Sequence, residues 1–298
     1  MTKPPGSVAG PFGSAGRRAA GPLNVVLWGS GDRVVCVHGS LSWGAFAFRA
    51  QRPLADTRSL VLPDRRGYGA SAAAGAADFD VDAHDVAELL GEGAHLVGHS
   101  YGAVVALLVA AAHPEAVHTL TLVEPAAFGV ARGDTAVEEL IEALADVYAA
   151  AADLTAAGFV LRFLQALGYR RGLDLPDRLK LSPEGTRAAT TTMTERPPWE
   201  ATVPLDALVS AGHRVLVISG RWDNLAAGER TLGRRAFGAV GDVLTEALGA
   251  RRAIIDGWAH GCQYSGKPFN DLLRSFWSET RPALSSPLRQ ADDARMVT

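Results

Sequence analysis

Short apolar runs recur along the chain and predict a parallel β-sheet. Each run has three or four residues, rich in valine, leucine and isoleucine. From the second run onward, most are separated by helical stretches, the βαβ alternation of a sheet with helices on both faces. The chain has no internal repeat. We therefore predict one α/β architecture built on seven such runs: residues 25–28, 34–37, 60–62, 94–97, 120–123, 215–218 and 252–255.

One long interval breaks this alternation. Residues 125–213 separate two of the apolar runs and show helical periodicity instead, with Leu140, Leu144 and Val147 on one helical face. An insertion of this size between two parallel strands predicts a helical cap over the ends of the sheet. Such a cap supplies the apolar wall of a substrate pocket; a helical subdomain with only a packing role is the alternative. The helices are predicted at residues 134–152, 154–167 and 183–193.

The same pattern divides the chain into a core, a cap and two terminal segments. Residues 1–22 are rich in Gly, Pro, Ser and Ala without periodicity, which predicts a disordered arm. The core is predicted from residues 23–124 and 214–280, with the cap at 125–213 between them. Residues 281–298 are predicted to form a flexible tail.

Composition and charge narrow the classes of function. The 298 residues are 48% hydrophobic and 20% charged, with a net charge of −3, as expected for a soluble globular protein. This charge gives no reason to expect nucleic acid or an anionic membrane as a partner. No apolar stretch reaches the roughly 18 residues of a membrane span, and no apolar segment follows Arg17 and Arg18 as in an export signal. Two cysteines make no disulfide framework, so we expect a reducing, cytoplasmic location.

The pentapeptide Gly98–Gly102 has the form G-x-S-x-G and carries the candidate nucleophile, Ser100. The strand-like run 94–97 precedes it and an apolar helical stretch, 103–110, follows it. A serine on such a strand-to-helix turn is held in a strained conformation with its hydroxyl exposed, and glycines are needed beside it. A glycine-rich turn without catalytic function is the competing interpretation.

His260 is the candidate general base. A serine hydroxyl is a poor nucleophile at neutral pH and needs a base to take its proton. Of the eight histidines, His260 lies in the loop Asp256–Gly261, between the last apolar run and a predicted helix at 269–280. Ligands bind at the carboxyl ends of the strands in an open parallel sheet, and this loop begins there. We interpret His38 as backbone support and expect His99 to point away from the serine.

Two backbone amides are candidates for the oxyanion hole. The elbow itself offers the N–H of Tyr101. The second donor should follow the apolar run 34–37, where Gly39 allows a sharp turn. We predict that the Ser40 N–H faces the substrate carbonyl, with the Leu41 N–H as the alternative. A simple strand-ending turn would explain the same glycine.

Two carboxylates are candidates for the acid that orients the histidine. Glu124 and Asp223 each follow an apolar run at the carboxyl edge of the predicted sheet. A carboxylate at the end of an apolar strand is costly without a partner, which favours Glu124. Asp223 lies in a polar, arginine-rich loop, where a solvated or arginine-paired aspartate is the plainer interpretation.

Four motifs together resemble the α/β-hydrolase superfamily in order and spacing, over residues 23–280. The resemblance implies a mostly parallel sheet flanked by helices, with a helical cap between the sixth and seventh strands. It also implies Ser100 as nucleophile, His260 as base, and the amides of Tyr101 and Ser40 as oxyanion donors. The motifs are His38-Gly39-Ser40, Asp64-Arg65-Arg66-Gly67-Tyr68-Gly69-Ala70-Ser71, Gly98-His99-Ser100-Tyr101-Gly102 and Gly257-Trp258-Ala259-His260.

The resemblance leaves both acids open but favours Glu124. Most of the superfamily carries the acid after the seventh strand as G-x-x-D, which Gly220–Asp223 matches. The chain is most similar to a bacterial subgroup that often lacks this aspartate and in which the strand-six glutamate looks like the triad acid. It departs from that subgroup by a longer, arginine-rich loop after Gly220. The subgroup motifs are Leu122–Pro125, Glu195–Glu200 and Pro268–Asn270.

These features predict a serine hydrolase that needs neither metal nor cofactor. We expect it to cleave an ester or lactone of a medium-sized, partly apolar small molecule through an acyl-enzyme. Trp199, Trp222 and Trp258 are candidates to line its substrate pocket. The same triad would serve an acyltransferase, a lactonising enzyme or a C–C bond hydrolase in a biosynthetic pathway. A non-catalytic ligand-binding or cyclase-like protein on the same scaffold is the third hypothesis.

Overall fold

A seven-stranded sheet forms the centre of the protein, for which a computed structural model describes residues 23–73 and 75–279. The strand order is β1-β3-β2-β4-β5-β6-β7. Only β1 is antiparallel, and it lies at one edge beside β3. The predicted arm at 1–22 and the predicted tail from 281 lie outside the described residues. The strands are β1 (Val25–Trp28), β2 (Asp32–Val37), β3 (Arg58–Pro63), β4 (Ala94–His99), β5 (Val117–Val123), β6 (Val215–Gly220) and β7 (Arg251–Ile255).

Helices cover both faces of the sheet. In β2, Val35 and Val37 contribute to the core on one face, and Val34 and Cys36 to the core on the other. Burial on both faces explains why the strands are continuous apolar runs rather than alternating ones. None of the described helices combines the length and the apolar character that crossing a bilayer requires. They are α1 (Gly44–Ala47), α2 (Phe79–Ala87), α3 (Tyr101–Ala112), α4 (Thr135–Ala149), α5 (Ala156–Ala166), α6 (Pro183–Thr192), α7 (Leu205–Ala211), α8 (Leu232–Leu248) and α9 (Lys267–Ser278).

The two faces carry different sets of helices. The core on one face includes residues of α2, α3, α7 and α8. The core on the other face includes residues of α1 and α9, among them Phe269, Leu273 and Trp277. The helix α3 is apolar throughout and buried for most of its length, because it lies between the sheet and its neighbours α2 and α7.

The long interval between β5 and β6 contains α4, α5 and α6, close to the predicted bounds. The helix α7 packs against α3 and α8 beside the sheet, so the part that covers the strand ends is residues 125–204. We call these residues the inserted segment. These residues lie between the fifth and the sixth described strands, whereas the resemblance implied a cap between the sixth and the seventh. The numbers differ because the described sheet has one strand fewer before the inserted segment.

Register at the carboxyl edge of the sheet brings three strand ends together. The Ser100 N–H donates to the Val123 carbonyl at 2.9 Å, and the Glu124 N–H donates to the Ile218 carbonyl at 2.8 Å. The chain after β4 is thereby fixed to the end of β5, and the chain after β5 to the end of β6. This edge lies beneath the inserted segment and carries the candidate site.

Candidate active site

Ser100 lies on a strained turn between β4 and α3. Its backbone has φ 55° and ψ −118°, a conformation that non-glycine residues seldom adopt. The flanking glycines are required by space. A Cβ on Gly98 would lie 2.3 Å from the Gly102 carbonyl oxygen, and one on Gly102 would lie 2.2 Å from the Val37 carbonyl oxygen. The pentapeptide therefore forms the tight elbow that its sequence predicts.

Backbone strain in the protein is concentrated at this edge of the sheet. In the part of the chain that the structure describes, four non-glycine residues have positive φ: Leu41, Ser100, Glu124 and Trp222. All four are candidates from the sequence, and each such conformation costs about 1–3 kcal/mol and persists only where its surroundings enforce it. Strain held at one place in this way is typical of a functional site.

His260 stands within hydrogen-bond distance of the serine. Its Nε2 lies 2.9 Å from the Ser100 Oγ. The His99 Nε2 lies 3.0 Å from the His260 carbonyl oxygen, and burial lowers the pKa of His99 to about 3. His99 is therefore neutral and donates its Nε2 proton to that carbonyl, which fixes the loop that carries the base. The Phe237 ring packs 4.5 Å from the His260 ring, measured between centroids.

Glu124 approaches the other nitrogen of the same imidazole. It is fully buried, and its Oε2 lies 3.7 Å from the His260 Nδ1. Its Oε1 accepts hydrogen bonds from the Gly220 N–H at 2.7 Å and from the Trp222 Nε1–H at 3.1 Å. One carboxylate oxygen is thus anchored and the other is directed toward the histidine. The gap of 3.7 Å is longer than a hydrogen bond, and such bonds often tighten only when substrate binds.

Asp223, the rival acid, points elsewhere. Its side chain is exposed, and its Oδ1 accepts a hydrogen bond from the Gly257 N–H at 2.8 Å. Among the residues that the structure describes, Glu124 is the carboxylate that contacts His260. Trp222, which lies between Gly220 and Asp223, has a left-handed backbone conformation. In this loop the Trp222 indole donates a hydrogen bond to Glu124, and the Asp223 carboxylate does not reach the histidine.

Ser40 and Tyr101 border the same pocket as Ser100. Tyr101 is the first residue of α3, where backbone amides have no partner within the helix. The alternative donor, Leu41, is not available, because its N–H donates to the Thr192 Oγ1 at 3.0 Å. The Ser40 and Tyr101 amides therefore remain the candidate pair for an oxyanion hole.

The pocket above Ser100 is narrow and lined by apolar side chains. Its volume is about 20 Å³, room for about one water molecule. Ser100 is only 9% exposed, so the side chains that line this pocket control access to its hydroxyl. Besides the catalytic candidates, the lining consists of Ala126, Phe128, Leu144, Tyr148, Phe163, Leu167, Pro198, Trp199 and Phe237.

Of the three tryptophans predicted to line the pocket, the structure places one there. Trp199 belongs to its wall. Trp222 is fully buried away from it and holds Glu124, and Trp258 packs against the core on the α9 side. The sequence does not separate the three, because aromatic size alone does not tell which way a ring points.

A buried ionic cluster next to the pocket was missed from the sequence. The Arg65 guanidinium lies 2.7 Å from Asp82 and 2.8 Å from Glu195, and all three side chains are almost fully buried. Burial raises the pKa of Asp82 to about 6. Arg65 and Glu195 both belong to motifs that carry the resemblance. The one sign of the cluster in the sequence is that each motif places a charged residue among turn-forming and apolar residues.

Residues 23–73 and 75–279 contain no group of three or more His, Cys, Asp or Glu side chains placed to hold a metal ion. The Ser100 hydroxyl, the His260 imidazole and the Glu124 carboxylate lie close together at the carboxyl edge of the sheet. Together with the two amides, they form an arrangement suited to nucleophilic attack on a carbonyl.

Comparison with curated proteins gives partial matches. Over 114 residues the chain is 33% identical to the pimeloyl-[acyl-carrier protein] methyl ester esterase of Aeromonas hydrophila. The matched region covers 38% of this chain and 45% of that protein. Over 116 residues it is 34% identical to lipase LipV of Mycobacterium tuberculosis, which covers 38% of this chain and 43% of that protein. The chain thus spans less than half the length of these curated relatives.

Comparison with solved structures and family models covers far more of the chain. An alpha/beta hydrolase from Sphaerobacter thermophilus superposes with a TM-score of 0.61 over 87% of this chain and 100% of that one, at 22% identity. A model described as the alpha/beta hydrolase family matches residues 34–272. These matches confirm the predicted fold class. The chain belongs to the alpha/beta hydrolase family.

Proposed function

We propose that this chain is a serine hydrolase that cleaves an ester or lactone of a medium-sized, partly apolar small molecule through an acyl-enzyme. One observation carries the proposal. The Ser100 Oγ lies 2.9 Å from the His260 Nε2, and Glu124 lies 3.7 Å from the opposite ring nitrogen. The base thus lies between the nucleophile and the orienting acid, and Ser100 itself lies on a strained elbow at the N-terminus of α3.

In the first half-reaction, Ser100 attacks the substrate carbonyl carbon. The Oγ–C bond forms as the Oγ proton passes to the His260 Nε2, and the carbonyl π electrons move onto oxygen. The amides of Tyr101 and Ser40 donate to that oxyanion, and Glu124 stabilises the imidazolium. Collapse of the tetrahedral intermediate breaks the bond to the alkoxy oxygen, which takes the proton from His260 and leaves as the alcohol.

In the second half-reaction, water replaces the alcohol. His260 takes one proton from water as the hydroxide oxygen bonds to the acyl carbon. The same two amides hold the second oxyanion. Collapse releases the acid and returns the proton to the Ser100 Oγ, so the protein ends as it began.

The pocket supports a partly apolar acyl or alcohol group as the bound portion. Its walls carry the rings of Phe128, Phe163 and Trp199, and no Asp, Glu, Lys or Arg is among the described residues that line it. Apolar pockets with a few convergent polar groups are typical of small-molecule sites. Two of the three curated relatives with partial matches are named an esterase and a lipase, and the third is named a decarboxylase.

Turnover of p-nitrophenyl butyrate tests the proposal. The wild-type protein should release p-nitrophenol, and Ser100→Ala should reduce kcat by at least 10³-fold, on the order expected for loss of a triad nucleophile. Ser42→Ala is the matched control, because Ser42 is as buried as Ser100 and does not border the pocket. Activity of Ser100→Ala within tenfold of wild type would remove the assignment.

Partition of the acyl group separates hydrolysis from acyl transfer. The acyl-enzyme is formed in either case, and only the acceptor differs. With equal concentrations of an aliphatic alcohol and an amine present, product analysis should show the free acid as the main product. A dominant ester or amide product would instead assign the chain to acyl transfer.

A further inference from the structure

Glu195 is a buried carboxylate of the inserted segment that contacts the loop beside the nucleophile. It follows α6 and is 2% exposed. Its Oε1 accepts a hydrogen bond from the Ser40 Oγ. Ser40 is the residue whose backbone N–H is assigned above to the oxyanion hole. The inserted segment thus contacts the core at the point where that hole forms.

Several donors hold the Glu195 carboxylate in place. Its Oε2 accepts from the Arg65 Nη2 at 2.8 Å and from the Tyr68 hydroxyl at 2.7 Å. The Tyr148 hydroxyl, from α4, also hydrogen-bonds to it. A buried carboxylate with this many donors cannot shift without leaving polar groups unpaired, which is costly. Glu195 is therefore a fixed point to which Ser40 is tied.

The residues on either side of Ser40 are tied to the same group of side chains. The Arg65 Nε donates to the His38 carbonyl at 3.1 Å, and the Arg65 backbone N–H donates to the His38 Nε2 at 2.9 Å. The Leu41 N–H donates to the Thr192 Oγ1. Leu41 has φ 59°, a strained conformation that persists only where its surroundings enforce it.

We propose that Glu195 is a positioning residue for the oxyanion hole, acting through the Ser40 hydroxyl, so that the hole is complete only while the inserted segment lies against the core. This inference rests on the proposed function. Without the carboxylate, the strained loop relaxes and carries the Ser40 amide away from the oxyanion. Arg65 offsets the charge of Glu195, which would otherwise disfavour a second negative charge nearby.

The test compares Glu195→Gln, Ser40→Ala and the double variant in turnover of p-nitrophenyl butyrate. Each single variant should lower kcat by about 100-fold, because a displaced oxyanion donor costs about that much, with KM within threefold. The double variant should be no slower than the slower single one, since both changes break one contact. The matched control is Asp85→Asn, which breaks a close ion pair with Arg66 in the neighbouring turn and should stay within twofold.

Hydrogen–deuterium exchange of the peptide that covers residues 37–42 gives a second readout, independent of activity. Exchange should rise in Glu195→Gln and Ser40→Ala and stay unchanged in Asp85→Asn. The positioning role is overturned if exchange and kcat are unchanged in both variants, or if the two losses of kcat multiply in the double variant. In either case, ester turnover by the wild-type protein still supports the proposed function. If Glu195→Gln does not fold, Ser40→Ala, which removes only a hydroxyl, carries the same measurement.

A wild-type protein that turns over no ester separates the two proposals. In that case the hydrolase function fails. Raised exchange in the two variants still supports the contact between Glu195 and the Ser40 loop, and unchanged exchange refutes it.

Discussion

Replacing Glu124 with Gln tests which carboxylate orients His260. The substitution keeps the size of the side chain, and its amide oxygen can still accept from the Gly220 N–H and the Trp222 indole. The amide –NH₂ then faces the His260 Nδ1, where the carboxylate oxygen stood at 3.7 Å. A donor at that position favours the tautomer that carries its proton on Nε2, which cannot accept the proton of Ser100.

The expected loss follows from the separation of the charges. An imidazolium and a carboxylate at 3.7 Å interact by about 4 kcal/mol at an effective dielectric constant of about 20. Loss of this stabilisation slows the reaction on the order of 10³-fold. The tautomer effect adds to it, and the corresponding change in a serine protease triad costs about 10⁴-fold. For Glu124→Gln we therefore predict a fall in kcat of about 10³- to 10⁴-fold.

Asp223→Asn is the matched comparison. Asp223 is exposed and accepts a hydrogen bond from the Gly257 amide, away from His260, so its loss should change kcat by less than tenfold. Initial rates with p-nitrophenyl butyrate at saturating concentration measure both variants, and circular dichroism melting shows whether each is folded. A Glu124→Gln variant within tenfold of wild type, together with a 10³-fold loss in Asp223→Asn, would refute the assignment.

Three further predictions concern the surroundings of the triad. Trp222→Phe removes the indole donor to Glu124 and should lower kcat about tenfold, since one charged hydrogen bond contributes about 1.5–3 kcal/mol; unchanged steady-state kinetics would contradict this. Phe163→Ala widens the pocket wall and should shift the preferred p-nitrophenyl ester toward longer acyl chains, whereas an unchanged preference would place the acyl group elsewhere. His99 has a folded pKa of about 3 against 6.5 in the unfolded chain, so the unfolded state takes up a proton first and stability falls as pH drops below 6.5. Urea titrations at pH 7 and pH 5 measure the free energy of unfolding. Between these pH values it should fall by about 2 kcal/mol more in wild type than in His99→Gln. Equal decreases would show that His99 is charged in the folded protein.

The sheet and the elbow were predictable because their determinants are local. A run such as 94–97 is apolar because the strand is buried on both faces of the sheet. The glycines beside Ser100 are present because backbone atoms approach closely on either side. The placement of the candidate base, His260, beside Ser100 also followed from position, since its loop begins at the carboxyl end of the last strand. Each of these conclusions uses residues adjacent in sequence.

The acid, the pocket lining and the support of the oxyanion hole were not predictable in the same way. Glu124 and Asp223 end neighbouring strands, and only the direction of each side chain separates them. The contacts of Glu195 with Ser40 and Arg65 join residues 155 and 130 positions apart. Such contacts depend on how the inserted segment packs on the core, which no local pattern records.

The covalent acyl-enzyme on Ser100 is the most direct test of the account. Wild-type protein mixed with p-nitrophenyl butyrate, quenched within the first turnover and analysed by intact-protein and peptide mass spectrometry, should gain one butyryl group. The gain should map to the peptide that contains Ser100 and be absent from Ser100→Ala. Rapid turnover without any acylated protein, or acylation that persists in Ser100→Ala, would contradict the account.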